Sequence, residues 1–144
     1  MKSLSKSLLV AFALVFSTIQ AQSVSEKTYD DIHVKVVEWR RHFHENPELG
    51  NREFKTAAYI EKQLRKLGLE VETGVGITGV IGILKGGKPG KVLALRADID
   101  ALPVTERNDL PFKSKVVTEF LGETTGVMHA CGHDTHTASL MGVA

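Results

Sequence analysis

The sequence has one cysteine, few aromatic residues and no excess of charge, and each shortage excludes a class of protein. Cys131 is the only cysteine among 144 residues, so no internal disulfide can form. Lysine and arginine together number 18, against 17 aspartates and glutamates, and this balance gives no electrostatic case for nucleic-acid binding. The hydrophobic share of 42% and the charged share of 24% are ordinary for a globular chain and exclude extensive disorder.

The longest apolar run lies near the N-terminus. Lys2 and Lys6 precede the run LLVAFALVF, and Ala21 follows it. A basic start, a short apolar stretch and a small residue at its end are typical of a secretory signal peptide, and the run is too short to span a bilayer comfortably. We therefore predict a signal peptide over residues 1–21, with an uncleaved membrane anchor as the alternative. Export to the periplasm or the extracellular space follows, with no stable membrane span after cleavage.

Export makes the single thiol notable. A lone cysteine in an oxidising compartment is a liability unless it is buried or bound to something. Cys131 therefore stands out before any motif is considered.

Hydrophobic periodicity predicts two helices after the signal peptide. The first extends from about Tyr29 to His44, because apolar residues recur there at spacings of four, three and four. These residues are Ile32, Val36, Trp39 and Phe43. The second extends over residues 53–67, with Gly68 as its left-handed cap.

Short apolar runs separated by glycines then predict strands at 69–72, 79–84 and 92–97. A glycine-rich turn between the last two favours a hairpin. Helices followed by such strands indicate an α/β fold, a layered sandwich with a mixed sheet flanked by helices. Residues 104–127 are polar and aperiodic, which predicts a long loop. A further helix is expected after His133, and the chain ends at Ala144 within its apolar run, which suggests a truncated sequence.

The segment MHACGHDTHTA concentrates side chains that bind transition metals. It contains His129, Cys131, His133, Asp134 and His136, that is, imidazole, thiolate and carboxylate groups. The spacing Cys-Gly-His puts two ligands two residues apart, with a glycine to turn the backbone between them. The alternative is a helix start, capped by Asp134 or the threonine after it, with scattered surface histidines.

Two other segments carry candidate polar residues. In LRADIDALP, alternation places Asp98 and Asp100 on one face of a strand end and Arg96 on the other. Such carboxylates can ligate a metal, orient a ligand imidazole or transfer protons, and solvated acids in a turn are the alternative. In RRHFHENPELG, His42 and His44 near a helix end are interpreted as surface or capping residues.

These segments, in this order, resemble the amidohydrolase subfamily that includes hippurate hydrolase, auxin-conjugate hydrolases and N-acetyl-diaminopimelate deacetylase. The subfamily lies within the wider aminoacylase and glutamate carboxypeptidase family of metallopeptidases. The match comprises HENPELG, TGV at 78–80, LRADIDALP with Glu106 following, and MHACGHDTHTA, and it extends from about Val36 to Ala144. It implies that residues 22–144 are the N-terminal part of a zinc-peptidase-like catalytic domain, without the later domain for dimerisation and closure over substrate.

The resemblance also implies site residues. Cys131 and His133 inherit the role of metal ligands, and Asp100 that of an aspartate supporting the metal site. Asp98 stands where relatives have a histidine, so it is a possible supporting residue. Asp134 and His136 are also possible supporting residues, and the resemblance assigns them no definite role. The implied cofactors are divalent metal ions, two of them, Mn²⁺ or Zn²⁺. The general-base glutamate is expected beyond residue 144, so the chain alone is expected to be inactive.

The implied reaction is metal-dependent hydrolysis of the amide bond of N-acyl amino acids, by a protein that is a homodimer when full length. A dipeptidase or carboxypeptidase of the same family is one alternative. A non-catalytic metal-binding protein is an alternative from another class.

Overall fold

The structure, a computed structural model, describes residues 25–144, and the predicted signal peptide lies outside these residues. It confirms the α/β class. The elements are α1 (Glu26–Glu45), α2 (Phe54–Lys66), β1 (Glu70–Val75), β2 (Gly79–Ile83), β3 (Val117–Phe120), β4 (Glu123–Gly126) and α3 (His133–Val143). Among residues 25–144, no helix has the length and apolarity that crossing a bilayer requires.

The first and last helices pack against each other along their length. Helix α1 begins after Ser25, whose Oγ accepts a hydrogen bond from the amide of Thr28 at 3.2 Å, as N-cap side chains do. Of the apolar face predicted for α1, Trp39 and Phe43 lie in the main core and Val36 packs against it, whereas Ile32 is 37% exposed. The core also contains Ile60, Leu64, Leu69, Ala138 and Met141. A Cβ at Gly142 would lie 2.6 Å from Val36 Cγ2, so α3 approaches α1 closely only because this residue is glycine.

The strand pairing differs from the sequence prediction. Strand β1 pairs antiparallel with β2, and Gly68 precedes β1 with a φ of +86°, the left-handed conformation expected of a helix cap. The predicted hairpin between 79–84 and 92–97 is wrong. Residues 84–100 contain no regular strand. Strand β2 instead forms its hairpin with β1 across a turn of only three residues, and a short loop between consecutive strands favours their pairing.

The predicted long loop at 104–127 contains a second hairpin. Strands β3 and β4 pair antiparallel from Val117↔Gly126 to Phe120↔Glu123. A small apolar cluster lies beneath it, formed by Leu49, Ala101 and Val127 with Val116 and Phe120 against them. The sequence around this hairpin is too polar and too short for its alternation to reveal it.

Candidate metal centre

Backbone hydrogen bonds place the three motif segments side by side. The amide of Ala101 donates to the carbonyl of Glu48 at 2.8 Å. Leu102 and Met128 exchange two backbone bonds, at 3.0 and 3.1 Å. The LRADIDALP segment thus lies between HENPELG and MHACGHDTHTA, and it joins residues that are far apart in sequence.

The imidazole of His133 is held by Asp100 from the central segment. His133 Nδ1 lies 3.0 Å from the carbonyl oxygen of Asp100 and 3.0 Å from its carboxylate Oδ1. Histidines that ligate metals commonly donate one ring N–H to a carbonyl or carboxylate and coordinate through the other nitrogen. In this arrangement Nε2 of His133 is the nitrogen that remains for a ligand.

Cys131 lies on the turn that leads into α3. Its thiol is exposed, and the next residue, Gly132, is the N-cap of the helix with a φ of +119°. The predicted cap at Asp134 or Thr135 is therefore wrong, because the left-handed glycine starts the helix instead.

Asp98 and His136 lie beside this pair with other partners. Asp98 Oδ1 accepts from Arg96 Nε at 2.9 Å and Nη2 at 2.7 Å, so the predicted placement of Arg96 on the opposite face is wrong. That prediction assumed that residues 96–100 alternate as in a strand, and this segment is not a strand in the structure. The carbonyl of Asp98 accepts from Thr137 Oγ1 at 2.9 Å. His136 is exposed, with its ring centroid 6.0 Å from that of His133.

His44 is buried, contrary to the surface position expected from sequence. It is 4% exposed, and its Nδ1 lies 2.8 Å from Asp134 Oδ2 while its Nε2 lies 2.8 Å from Glu106 Oε1. Arg40, one turn earlier on α1, places Nε 2.9 Å from the same Asp134 oxygen. The i, i+4 spacing of Arg40 and His44 places both side chains on one face of α1.

Glu106 closes the loop that covers His44. Its carboxylate accepts from the amide of Ser114 at 2.6 Å and from Asn108 Nδ2 at 2.6 Å, as well as from His44. Burial alone would raise the pKa of Glu106, but the hydrogen bonds from His44, Ser114 and Asn108 outweigh it and hold that pKa below its ordinary value. Glu106 therefore remains a carboxylate at neutral pH.

His129 is buried beside this network without a hydrogen-bond partner. It is 6% exposed, and its two ring nitrogens are the buried side-chain polar atoms in residues 25–144 that have no partner. Burial lowers the pKa of His129 to about 4, against the attraction of Asp134. An unpaired buried imidazole is costly and calls for an explanation such as a missing ion or water.

Comparison with known proteins matches the same segments. Residues 94–144 match the model of Peptidase family M20/M25/M40. The chain belongs to this family. Thermostable carboxypeptidase 2 of Saccharolobus solfataricus is 56% identical over 110 residues, which cover 76% of this chain and 26% of that protein. Hippurate hydrolase of Campylobacter jejuni is 49% identical over 102 residues, covering 71% and 24%.

A solved structure of the M20 family has the same fold. The YxeP protein of Bacillus subtilis, described as a dinuclear metal binding peptidase, superposes with a TM-score of 0.68 at 43% identity. The superposition covers 78% of this chain and 30% of that one. The chain thus spans less than a third of the length of these M20 relatives.

The donor chemistry of this M20 segment fits a metal ion only in part. Cys131 and the free Nε2 of His133 are donors of the types that zinc and related ions bind. Within residues 25–144 no three histidine, cysteine, aspartate or glutamate side chains are grouped to hold an ion. A catalytic site needs about three protein ligands and a water, so the donors that the described residues bring together make only part of such a site.

Because the buried His129 ring has no hydrogen-bond partner, we predict that the free energy of unfolding decreases in acid. Its folded pKa of about 4 lies below the unfolded value of about 6.5, so the unfolded chain binds the extra proton first. Stability is complete above about pH 6.5 and falls as pH drops towards 4, by at most ~1.4 kcal/mol per pH unit. The charged groups that act on this ring are Asp134, Asp100, His44 and His133.

Urea denaturation of metal-free full-length protein at pH 7.5, 6 and 5 measures the slope of the free energy of unfolding against pH. We expect His129→Gln to reduce it and the exposed His33→Gln to leave it unchanged. An unchanged slope in His129→Gln would contradict the assignment to His129.

Proposed function

We propose that the full-length protein is a metal-dependent hydrolase that cleaves the amide bond of N-acyl amino acids. The observation that carries the proposal is the contact of His133 Nδ1 with Asp100, which joins two motifs and leaves Nε2 of a histidine two residues after Cys131 available for a metal. The name hippurate hydrolase of one M20 relative supports this substrate class.

The cofactor that this proposal requires is a pair of divalent ions, Mn²⁺ or Zn²⁺. The description of the YxeP protein as a dinuclear metal binding peptidase supports two ions. Thiolate and imidazole donors suit zinc, whereas a carboxylate-rich set completed elsewhere would suit manganese. Cys131 and His133 are the ligands that this part of the protein contributes.

The residues of this segment have distinct tasks in such a reaction. When bound, a divalent ion polarises the amide carbonyl and makes water more acidic. His133 contributes neutral imidazole, and Asp100 fixes its ring orientation by accepting the Nδ1 hydrogen. Cys131 contributes negative charge as thiolate. The base that takes the proton from water is a glutamate proposed to lie beyond residue 144.

A carboxypeptidase reaction is the second candidate, because the S. solfataricus relative with 56% identity bears that name. The two reactions share their chemistry. An N-acyl amino acid and the C-terminal end of a peptide both present an amide next to a free α-carboxylate, and they differ in the group on the acyl side. The same metal site can therefore serve either substrate.

A substrate panel with the full-length protein tests both candidates. Hippurate and N-acetyl amino acids represent the first class, and N-blocked dipeptides and tripeptides with free carboxyl ends represent the second. We expect the highest kcat/KM on the first class, with loss of activity in a chelator and recovery with Mn²⁺ or Zn²⁺. Activity that survives complete metal removal would refute the proposal for both classes.

Residues 22–144 alone should show no turnover. They contribute two secure ligands, and no third donor is grouped with them in the described part of the chain. The purified segment with added Zn²⁺ or Mn²⁺ should leave hippurate intact over hours, beside a full-length control that cleaves it. Turnover by the segment would show that the site needs nothing from the rest of the protein.

Export is proposed on the signal-peptide pattern of residues 1–21, and homodimer formation on the family resemblance. Edman sequencing of the mature protein from the producing cell should begin at Gln22. An intact Met1 in a membrane fraction would favour the anchored alternative.

A further inference from the structure

His44 occupies a position between two carboxylates that come from distant parts of the chain. Asp134 is 90 residues later and Glu106 is 62 residues later, yet each lies 2.8 Å from one ring nitrogen. The side chain of His44 is 5% exposed, and those of Glu106 and Asp134 are 0% and 1% exposed. Both ring nitrogens of His44 therefore have a carboxyl partner.

Asp134 connects His44 to the first turn of α3. Its Oδ2 meets His44 Nδ1 and Arg40 Nε, and its Oδ1 accepts from the amide of Thr135 at 2.9 Å. A buried carboxylate with this many partners has one position. Because Asp134 follows His133 directly, its fixed side chain also fixes the backbone from which the His133 imidazole extends.

The residue before this turn has no side chain through which neighbours could restrain it. Gly132 has a φ of +119°, and a Cβ built there would meet nothing within 4 Å. A left-handed glycine in open space allows the Cys131–His133 pair to change its relative orientation at low cost. Asp100 restrains the His133 ring, the amides of Thr135 and His136 hold the Gly132 carbonyl at 3.0 and 3.1 Å, and Asp134 ties this helix start to α1.

We propose that His44 is a positioning residue for the metal-binding segment, acting through Asp134 to hold the Cys131 and His133 donors in one relative orientation. The inference rests on the proposed function, in which those two residues are metal ligands. Groups that orient ligands in this way change metal affinity by about 10- to 100-fold when they are lost. His44 acts one step further out than the residue touching the ligand, so the lower end of that range applies.

Metal affinity of the full-length protein tests the inference without reference to turnover. Zn²⁺ dissociation constants are measured by competition with a chromogenic chelator for wild type, His44→Gln and His42→Gln. His42 lies on the same helix turn but stacks on Tyr59, with ring centroids 3.8 Å apart, so it is a matched control. We expect about a tenfold weaker Kd for His44→Gln and a Kd within about twofold of wild type for His42→Gln.

A second variant separates positioning from loss of folding. Asp134→Asn keeps the shape of the side chain but loses the negative charge that both His44 and Arg40 contact, and it should also weaken Zn²⁺ binding. The effects of His44→Gln and Asp134→Asn should be less than additive in the double variant, because both act through one contact. The comparison requires both single variants to be folded, so the melting temperature of each metal-free variant is measured first.

The outcomes distinguish the inference from the function on which it rests. If wild type binds no Zn²⁺ or Mn²⁺, the proposed function fails and the inference with it. If wild type binds metal, and His44→Gln or Asp134→Asn binds it equally well, the function stands and the positioning role of His44 is overturned. A lowered melting temperature of the metal-free variants with an unchanged Kd would assign His44 to fold stability alone.

Discussion

Replacing Cys131 with serine should weaken metal binding by at least about a hundredfold, since loss of a supporting residue alone costs 10- to 100-fold. A neutral serine hydroxyl is a poor ligand of similar size. The free energy of unfolding of the metal-free protein should change by only about 0.5 kcal/mol, as for other exposed sites, because the thiol is exposed and on a turn.

Chelator competition gives the Zn²⁺ affinity, and Co²⁺ substitution gives a direct signature of the ligand. A thiolate bound to Co²⁺ produces a charge-transfer absorption that Cys131→Ser should lack. Ser139→Ala, an exposed change on α3, should leave both measurements unchanged. Equal metal content in Cys131→Ser and wild type would refute the assignment of Cys131 as a ligand.

Replacing Asp134 with alanine should be the most destabilising single change in this network. The Asp134 side chain is 1% exposed and meets both Arg40 and His44. Removing one partner of a buried ion pair leaves the other charge uncompensated and costs about 3 kcal/mol or more. Arg40 is 34% exposed, which keeps the expected loss near the lower end.

Urea denaturation of the metal-free full-length protein measures this loss. Asp109→Ala is the matched control, because Asp109 also faces a basic partner, Lys113 at 3.1 Å, but is fully exposed. We expect no measurable change in the control. Equal midpoints for Asp134→Ala and wild type would mean that the contacts of Asp134 contribute nothing net to stability.

The helices could be predicted from sequence because their signals are local. The spacing of Trp39 and Phe43 indicates a buried face of α1, and both residues lie in the core. The left-handed cap at Gly68 follows from the glycine itself. The clustering of metal-binding residue types around Cys131 and His133 is equally local.

The strand partners could not be predicted, because alternation identifies extended segments but not which of them pair. The position of His44 was missed for a related reason. Its partners lie 62 and 90 residues away, and no local pattern marks a histidine as the bridge between two buried carboxylates. Strand-end carboxylates offered the orientation of a ligand imidazole as one of several roles, and the family resemblance singled out Asp100 among them.

The two-residue separation of Cys131 and His133 has a consequence for the energetics of folding. A chelating pair so close in sequence persists when the chain unfolds, so the denatured ensemble also binds the ion. A ligand stabilises a protein only by its preference for the native over the unfolded state. The increase in melting temperature on metal binding should therefore be smaller than the Kd of the native protein suggests. Its size reflects the ligands and supporting residues that folding brings together from distant parts of the chain.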